Sequence, residues 1–522
     1  MGGLRRARVP RGVRPGGRAA DGRGPRHVLR GVPDGLGRLA LEHGDSATYL
    51  GVDLGTSGLK LVLLDATGRV VGETEAAYRV RADQPGVAET DPAEWAGALA
   101  AAGHELSARV GGLRTVAAVG VTGQMHGVVL VDPSGRPVRP AVLWPDQRAA
   151  SVLGSWRTLP AETRDRLANP VAAGMAGPIL SWLATHEPAS LHVADLVCSP
   201  KDWVRARLTA DRATDRSDAS ATLLWDLVAD DWSAPAVRLA GLRAEQLPEV
   251  VASDRVVGTT GPEAGGFLPA GVPVVAGGGD TPCALAALQA GVDDPVPLVA
   301  NLGTGIQLLR PSRSVGAAGV PGTHLYADTA GGWYRMLAIQ NGGLALSWVQ
   351  AQLGVDWAGL LQLARSAPAG SSGVVFVPFL TGERGGVAGP AATASWRYLR
   401  SDVGRADLAR AAFEAMAFTV RRGLELLDGS GAGVLLSGGG SREPWVRQLV
   451  ADAVGRPLRH VRLRSASAVG AARLAAQGVG HLLDVPATVS EVVPEAAGAL
   501  EEAYRRWCAA VEEDVDPGPA RA

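Results

Sequence analysis

"TYLGVDLGTSGLKLVLLD" (48–65) decides the fold. TYLGVDL is an apolar strand, GTSG a tight loop whose glycines tolerate a close turn, and LKLVLLD a second strand running back. An ATG turn then leads into a third strand, RVVGETEAAY (69–78). DPAEW (91–95) opens a helix with Asp91 as cap and Pro92 at its first position. TVAAVGVTG (115–123) and GVVLVD (127–132) read as further strands, and residues 150–250 as mostly helical and rich in tryptophan.

The opening pattern returns some 250 residues later. PLVANLGTGIQLL (297–309) is again strand, Gly-Thr-Gly loop and strand. Two triple-glycine turns accompany the two loops. In VPVVAGGGDTPCALAALQAG (272–291) a buried strand delivers Asp280 to the mouth of a helix, with Thr281 expected as N-cap, Pro282 as the first helical residue and Gly291 as stop. In GVLLSGGGSREPWVRQLVADAVG (433–455) a strand, a glycine turn and a helix follow in the same order. The repetition predicts a duplicated α/β unit, each copy offering backbone N–H groups to one cleft.

Composition bounds the partners. With 522 residues, 46% apolar and 20% charged, the chain is long enough for two domains or more. A formal net charge of −1 points to neither a nucleic-acid nor an anionic-membrane partner. Cys198, Cys283 and Cys508 are too scattered for a metal knuckle, which fits a reducing cytoplasm. No uncharged apolar run is long enough to span a membrane. The first 45 residues, rich in Arg, Gly and Pro, are expected to be a disordered basic extension. Among 51 Lys+Arg only Lys60 and Lys201 are lysines, which singles both out.

Several stretches carry chemistry. In DLGTSGLK (53–60), Gly55, Thr56 and Ser57 form a donor-rich nest suited to phosphate oxygens, with Lys60 adding a cation. Asp53, at the strand end, suits Mg²⁺ held through water. The bland alternative is a hairpin that merely needs its Gly and Thr. Gln124 and His126 in GQMHG (123–127) offer neutral hydrogen-bonding groups for a polyhydroxylated ligand, and Met125 can pack on its carbon face. Trp144, Asp146 and Arg148 in LWPDQR (143–148) make either a polyol set or a loop salt bridge.

In this order the pieces resemble the FGGY family of carbohydrate kinases, with the nearest likeness to its xylulokinase branch. The resemblance covers about residues 48–480 and is carried by GVDLGTSGLKLVLLD, ETDPAEW, GQMHG, RPAVLWPDQR, KDWVRARLT, TDRSDASAT, VVAGGGD, NLGTG, PFLTGER and LSGGGSREPWVRQLVADAVGRPL. It implies a two-lobed α/β chain of the actin-like and hexokinase-like ATPase fold, built from duplicated ribonuclease H-like domains with the site in the cleft between them. The implied boundaries are 46–292 for an N-terminal domain, 293–482 for a C-terminal domain and 483–522 for a closing helix and tail.

The resemblance also implies roles. Asp280 matches the catalytic base, and Asp53 with Asp280 the Mg²⁺ site. Gly55, Thr56, Ser57, Lys60, Gly303 and Thr304 match the ATP phosphate contacts, and Gly438, Gly439, Gly440 and Ser441 the adenosine turn. Gln124, Met125, His126, Trp144, Asp146, Arg148 and Thr281 fall on the sugar side. The implied reaction is ATP-dependent phosphorylation of a ketose, D-xylulose leading, with sedoheptulose or another ketose or polyol as alternatives. A sugar-binding protein without turnover is the rival from another class. A homodimer is left open.

The pattern also breaks. Thr281 stands where xylulokinases carry Asn after the base, and Pro145 where they carry Asn. GPILSWL (177–183) lacks their lysine, and the stretches after TGER and at 465–476 differ as well. Gln307 and QNGG (340–343) resemble sedoheptulokinases as much as xylulokinases.

Overall fold

The computed structural model describes residues 46–515 except 263, 265, 291–297, 316–321, 384, 385, 390, 428–432 and 496. The basic extension expected over 1–45, and the helix stop expected at Gly291, lie outside the described residues.

The first lobe is built on a seven-stranded sheet. Its strands are β1 (Thr48–Leu54), β2 (Gly58–Asp65), β3 (Val70–Ala77), β4 (Val116–Gly123), β5 (Val256–Thr259), β6 (Pro273–Val275) and β7 (Gly278–Gly279). They lie in the order β5-β6-β4-β1-β2-β3, with β7 on β4. β1, β2 and β3 form an antiparallel meander, while β4 runs parallel to β1 and β6 parallel to β4.

The second lobe repeats that arrangement. Its strands are β8 (Leu298–Leu302), β9 (Ile306–Ser312), β10 (His324–Ala327), β11 (Trp333–Ile339), β12 (Val434–Ser437), β13 (Leu458–Arg462) and β14 (Thr488–Val492). Here the order is β10-β11-β9-β8-β12-β13-β14, with β8 antiparallel to β9, β9 to β11, and β12 parallel to β8. The strand, tight loop, strand echo in the sequence is therefore a repeated sheet topology. The chain is thus two α/β lobes of one repeated topology.

The helices follow the local signals. In α1 (Pro92–Val110), Asp91 caps by accepting from the Ala93 N–H at 2.9 Å, and Gly111 closes the helix in the left-handed region. The 150–256 stretch is a cap of short helices that includes α2 (Pro200–Thr209). α3 (Asp280–Gln289) differs from expectation: its N-cap is Gly279, so Asp280 rather than Pro282 starts it and Thr281 is not the cap. The residue that turns into the helix must itself lie within β7, where the space for a side chain is already filled.

α4 (Arg405–Leu426), α5 (Pro444–Val454) and α7 (Ala497–Val515) pack with the second sheet. α6 (Ala466–Gly478), although late in the chain, lies on the first sheet and on α3. The contact is backbone to backbone. A Cβ on Gly51 would sit 1.9 Å from the Ala468 carbonyl oxygen, one on Gly120 2.0 Å from that of Ala471, and one on Gly470 2.0 Å from that of Cys283. Small residues are required wherever the late helix seats on the early sheet.

Candidate active site

The register of the first sheet sets the site. Asp53 on β1 pairs with Lys60 on β2 and with Thr122 on β4, and Thr122 pairs with Gly278 on β7. One rung later Gly279 pairs with Gly123, and the chain then turns into α3 at Asp280. Asp53 and Asp280 thus reach the same end of the sheet on either side of β4. Their charges interact: Asp280 is one of the groups that raise Asp53.

Between β1 and β2 the Gly55 N–H donates to the Gly58 carbonyl at 3.0 Å, leaving Thr56 and Ser57 at the tip. The Tyr78 hydroxyl donates to the Gly55 carbonyl. Gln124 Nε2 donates to the same carbonyl and to the Tyr78 oxygen, each at 3.2 Å. Trp144 Nε1 donates to Thr56 Oγ1 at 3.2 Å. Two expected sugar-side residues, Gln124 and Trp144, therefore brace the Gly55–Ser57 loop. Lys60 pairs with Glu75 at 3.5 Å, and its charge lowers Asp53 against the other influences.

Asp53 Oδ1 is enclosed and, among the described residues, without a hydrogen-bond partner. Burial first, then Asp280, push its carboxyl up to about 7. A buried oxygen left unsatisfied beside a second carboxylate is a position a divalent cation would suit. Among the described residues no group of three or more His, Cys, Asp or Glu side chains gathers to hold a metal. Mg²⁺ fits that count, since it takes one or two carboxylates and completes its shell with phosphates and water.

The three glycines before Asp280 are required by packing. Gly277 has φ +75°, and a Cβ there would meet the Val121 carbonyl oxygen at 1.7 Å. A Cβ on Gly278 would press on Thr329, Ser217 and Cys283, and one on Gly279 on Met125 at 2.8 Å. Asp280 Oδ1 accepts from the Thr281 N–H at 2.6 Å and from its hydroxyl at 3.2 Å. Burial raises the Asp280 carboxyl to about 6 against those two bonds.

The remaining sugar-side residues fall into two groups. Met125 is buried against Gly279, and its sulfur accepts from the Tyr334 hydroxyl of the second lobe at 3.9 Å. His126 takes φ +71°, its Nδ1 lies 2.7 Å from the Ala221 carbonyl, and its ring lies 5.7 Å from Tyr326. Asp146 and Arg148 form the other group. Buried Asp146 accepts from the Ala88 N–H at 2.9 Å and from Arg148, which also reaches Glu89 at 2.5 Å. The loop ion pair offered as one alternative is thus present, and it holds that loop in place.

In the second lobe three glycine segments interlock. The Gly303 N–H donates to Gly305 at 2.8 Å, the Gly343 N–H to Gly303 at 3.0 Å and the Leu344 N–H to Thr304 at 2.9 Å. Gly438, at φ +94°, would place a Cβ 2.4 Å from the Leu302 carbonyl oxygen. Ser441 is buried and its hydroxyl donates to the Gly438 carbonyl at 2.8 Å, while Gly439 faces open space and Gly440 lies against Leu302. Buried Glu383 of the TGER stretch accepts from the Gln340 N–H and from Asn341 Nδ2, both at 3.0 Å. At the position equivalent to Asp53 stands Asn301, whose Nδ2 donates to Gln307 Oε1 at 3.0 Å. Only the first copy of the loop carries a carboxylate.

Sequence reading missed what supports the Gly277–Gly279 turn. Lys201 Nζ, fully buried in α2, lies 2.5 Å from Asp202, 3.1 Å from Asp215 and 3.3 Å from Asp218. Arg205, equally buried, pairs with Asp202 and Asp211 and donates to the Ala276 carbonyl at 2.7 Å. The available signal was charge recurring in KDW and TDRSDAS, with one of the two lysines at its centre. Tyr326 and Tyr334 were missed as well, because nothing local marks a strand residue that reaches across to the other lobe.

Comparison with known proteins gives the family. The model of the FGGY family of carbohydrate kinases, N-terminal domain, matches residues 48–287, and that of its C-terminal domain residues 298–479. The chain is 32% identical to the xylulose kinase of Escherichia coli (strain K12), over 82% of this chain and 89% of that protein. It is 33% identical to the xylulose kinase of Streptomyces rubiginosus, over 88% of this chain and 93% of that one. The crystal structure of xylulose kinase from Rhodospirillum rubrum superposes with a TM-score of 0.81 at 28% identity, covering 89% of this chain and 98% of that one.

Proposed function

The chain belongs to the FGGY family of carbohydrate kinases and is a sugar kinase with ATP as co-substrate; within that activity we propose that it phosphorylates D-xylulose at its terminal hydroxyl, giving D-xylulose 5-phosphate, with Asp280 as general base. One observation carries the assignment of the base. Asp280 is a carboxylate raised to about 6, at the start of a helix, on the sheet end it shares with Asp53.

Transfer of a phosphoryl group passes through a loose transition state, so the protein mainly positions groups and offsets charge. A base works best when its pKa lies near the working pH, where it is ionised yet still accepts a proton. Asp280 takes the hydroxyl proton as that oxygen meets the γ-phosphorus. The first turn of α3 directs partial positive charge at the carboxylate and favours its ionised form. The Thr281 N–H and hydroxyl fix its rotamer through Oδ1, leaving Oδ2 for the sugar. Met125, His126 and Thr281 lie on the sugar side of the base. The loops at Gly55–Ser57 and Gly303–Thr304 present N–H and O–H donors to the phosphates, and Gly438–Ser441 takes the adenosine.

Asp53, with Asp280 beside it, would hold Mg²⁺, which offsets phosphate charge when bound. The substrates are small molecules handled in the cytoplasm; among the described residues no helix is long and apolar enough to cross a membrane.

D-Xylulose is preferred because the curated relatives at 32–33% identity are xylulose kinases. Gln307, the residue shared with sedoheptulokinases, accepts through its Oε1 from Asn301 Nδ2. The test is ADP release from ATP across a panel of pentuloses, heptuloses and polyols. The highest kcat/KM is expected on D-xylulose. A higher value on a heptulose or polyol would replace the substrate. No release above the ATP-only background with any sugar would replace the enzyme with a binder.

A further inference from the structure

Gly279 immediately precedes the proposed base, and its N–H donates to the hydroxyl of Ser217 at 3.0 Å. Ser217 is fully buried and lies in the short helix Arg216–Ser220. Its hydroxyl in turn donates to Asp215 Oδ2 at 2.6 Å, and Lys201 Nζ holds the other oxygen, Oδ1, at 3.1 Å. The hydroxyl is therefore spent in one direction: its proton is committed to Asp215, so the oxygen accepts from Gly279. The same short helix bonds to the second lobe. Ser220 Oγ accepts from the Ala327 N–H at 2.9 Å, and Arg216 donates to the Gly332 carbonyl at 3.0 Å while lying 4.0 Å over the Trp333 ring.

We infer that Ser217 is a positioning residue for phosphoryl transfer, holding the Gly279 peptide so that Asp280 meets the sugar hydroxyl at a fixed place. The inference rests on Asp280 being the base. Three features distinguish this hydroxyl from ordinary core hydrogen bonding. It is the side-chain acceptor for the peptide nitrogen one residue before the carboxylate. It is backed by a buried ion pair, so it does not rotate away. Its helix is also bonded to the hairpin of the other lobe, so docking of the lobes and placement of the base share one element. Ser253 supplies the contrast: its hydroxyl donates to the same Asp215 oxygen at 2.8 Å but its side chain does not bond to the Gly279 peptide.

The experiment is a double-mutant cycle read in kcat and KM with ATP and the best sugar of the panel. Ser217→Ala is expected to lower kcat by ~10–10²-fold, as misplacing a reacting group by a fraction of an ångström does, with KM for sugar and ATP changed less than about threefold. In an Asp280→Asn background the same change is expected to have no further effect on kcat, because the group it places has gone. Ser253→Ala is expected to lower Tm with kcat retained. Should Ser217→Ala yield too little folded protein, Ser217→Cys keeps the volume with a weaker acceptor and is read the same way. Wild-type kcat in the Ser217 variant, or an equal loss in both backgrounds, would overturn the positioning role. Full activity of Asp280→Asn alone would instead remove the base assignment, so the two failures are distinguishable.

Discussion

Asp280 and Asp53 differ in what the fold does for each. Asp280 has two Thr281 donors and stays near 6; Asp53 has an oxygen with no donor and rises to about 7. The first prediction concerns pH. As the proposed base, Asp280 must be ionised to accept a proton, so kcat/KM should fall as pH drops through about 6, losing tenfold per unit below it. A pH profile of kcat/KM checks this, and a flat profile down to pH 4.5 would contradict it. The second concerns stability. A carboxyl raised on folding contributes stability that is fully present below its unfolded value near 3.8 and is lost as pH rises through about 7. Asp53→Asn should therefore raise the Tm of the ligand-free protein at pH 8, and the gain should vanish near pH 4, while turnover with Mg²⁺ drops. Equal Tm shifts at both pH values would contradict the assignment. Site residues were legible where the surrounding motif is local, as in DLGTS or GGGD. Asp146 and Arg148 remained ambiguous from sequence, because the deciding partners, Ala88 and Glu89, lie some 60 residues away in the chain.

Among the elements, β10 and β11 were not legible, while the first meander, the β8–β9 pair and the strand–glycine turn–helix units were. Their apolar runs, caps and turn residues are all local, and they recur where expected. The seat of α6 was not legible. Its alanines and glycine look like an ordinary small-residue helix until a Cβ on Gly51, Gly120 or Gly470 is seen to fall about 2 Å from a carbonyl oxygen. The start of α3 was misplaced by two residues for a related reason, since Gly279 cannot carry a capping side chain beside Met125. These contacts give a paired prediction. Gly470→Ala forces α6 away from α3 and should cost at the upper end of ~1–3 kcal/mol or more. Gly97→Ala, on the exposed face of α1 with nothing within 4 Å, should stabilise by ~0.5–1 kcal/mol. Denaturant melts of both variants check the pair. A Gly470 variant as stable as wild type would mean the helices are not in backbone contact.

Across the molecule, two copies of one sheet topology meet through shared parts: α6 from late in the chain on the first sheet, and the β10–β11 hairpin against the helical cap. Duplication could be read from two Gly-Thr loops. The buried ion cluster that supports the Gly277–Gly279 turn could not, because charged residues at 201–218 read as surface until the fold encloses them. That cluster sets two cations, Lys201 and Arg205, against Asp202, Asp211, Asp215 and Asp218. Lys201→Met would take the cation from buried Asp215 and Asp218 and leave Asp202 with Arg205 alone, and should cost ~3–5 kcal/mol, read as a large fall in Tm or in soluble yield. A Tm unchanged by that substitution would show the cluster to be solvated. The account as a whole turns on one side chain, and the most direct measurement is kcat of Asp280→Asn against wild type with saturating ATP, Mg²⁺ and D-xylulose. The prediction is a loss of ~10²-fold or more with sugar affinity retained. Undiminished kcat in that variant would contradict it.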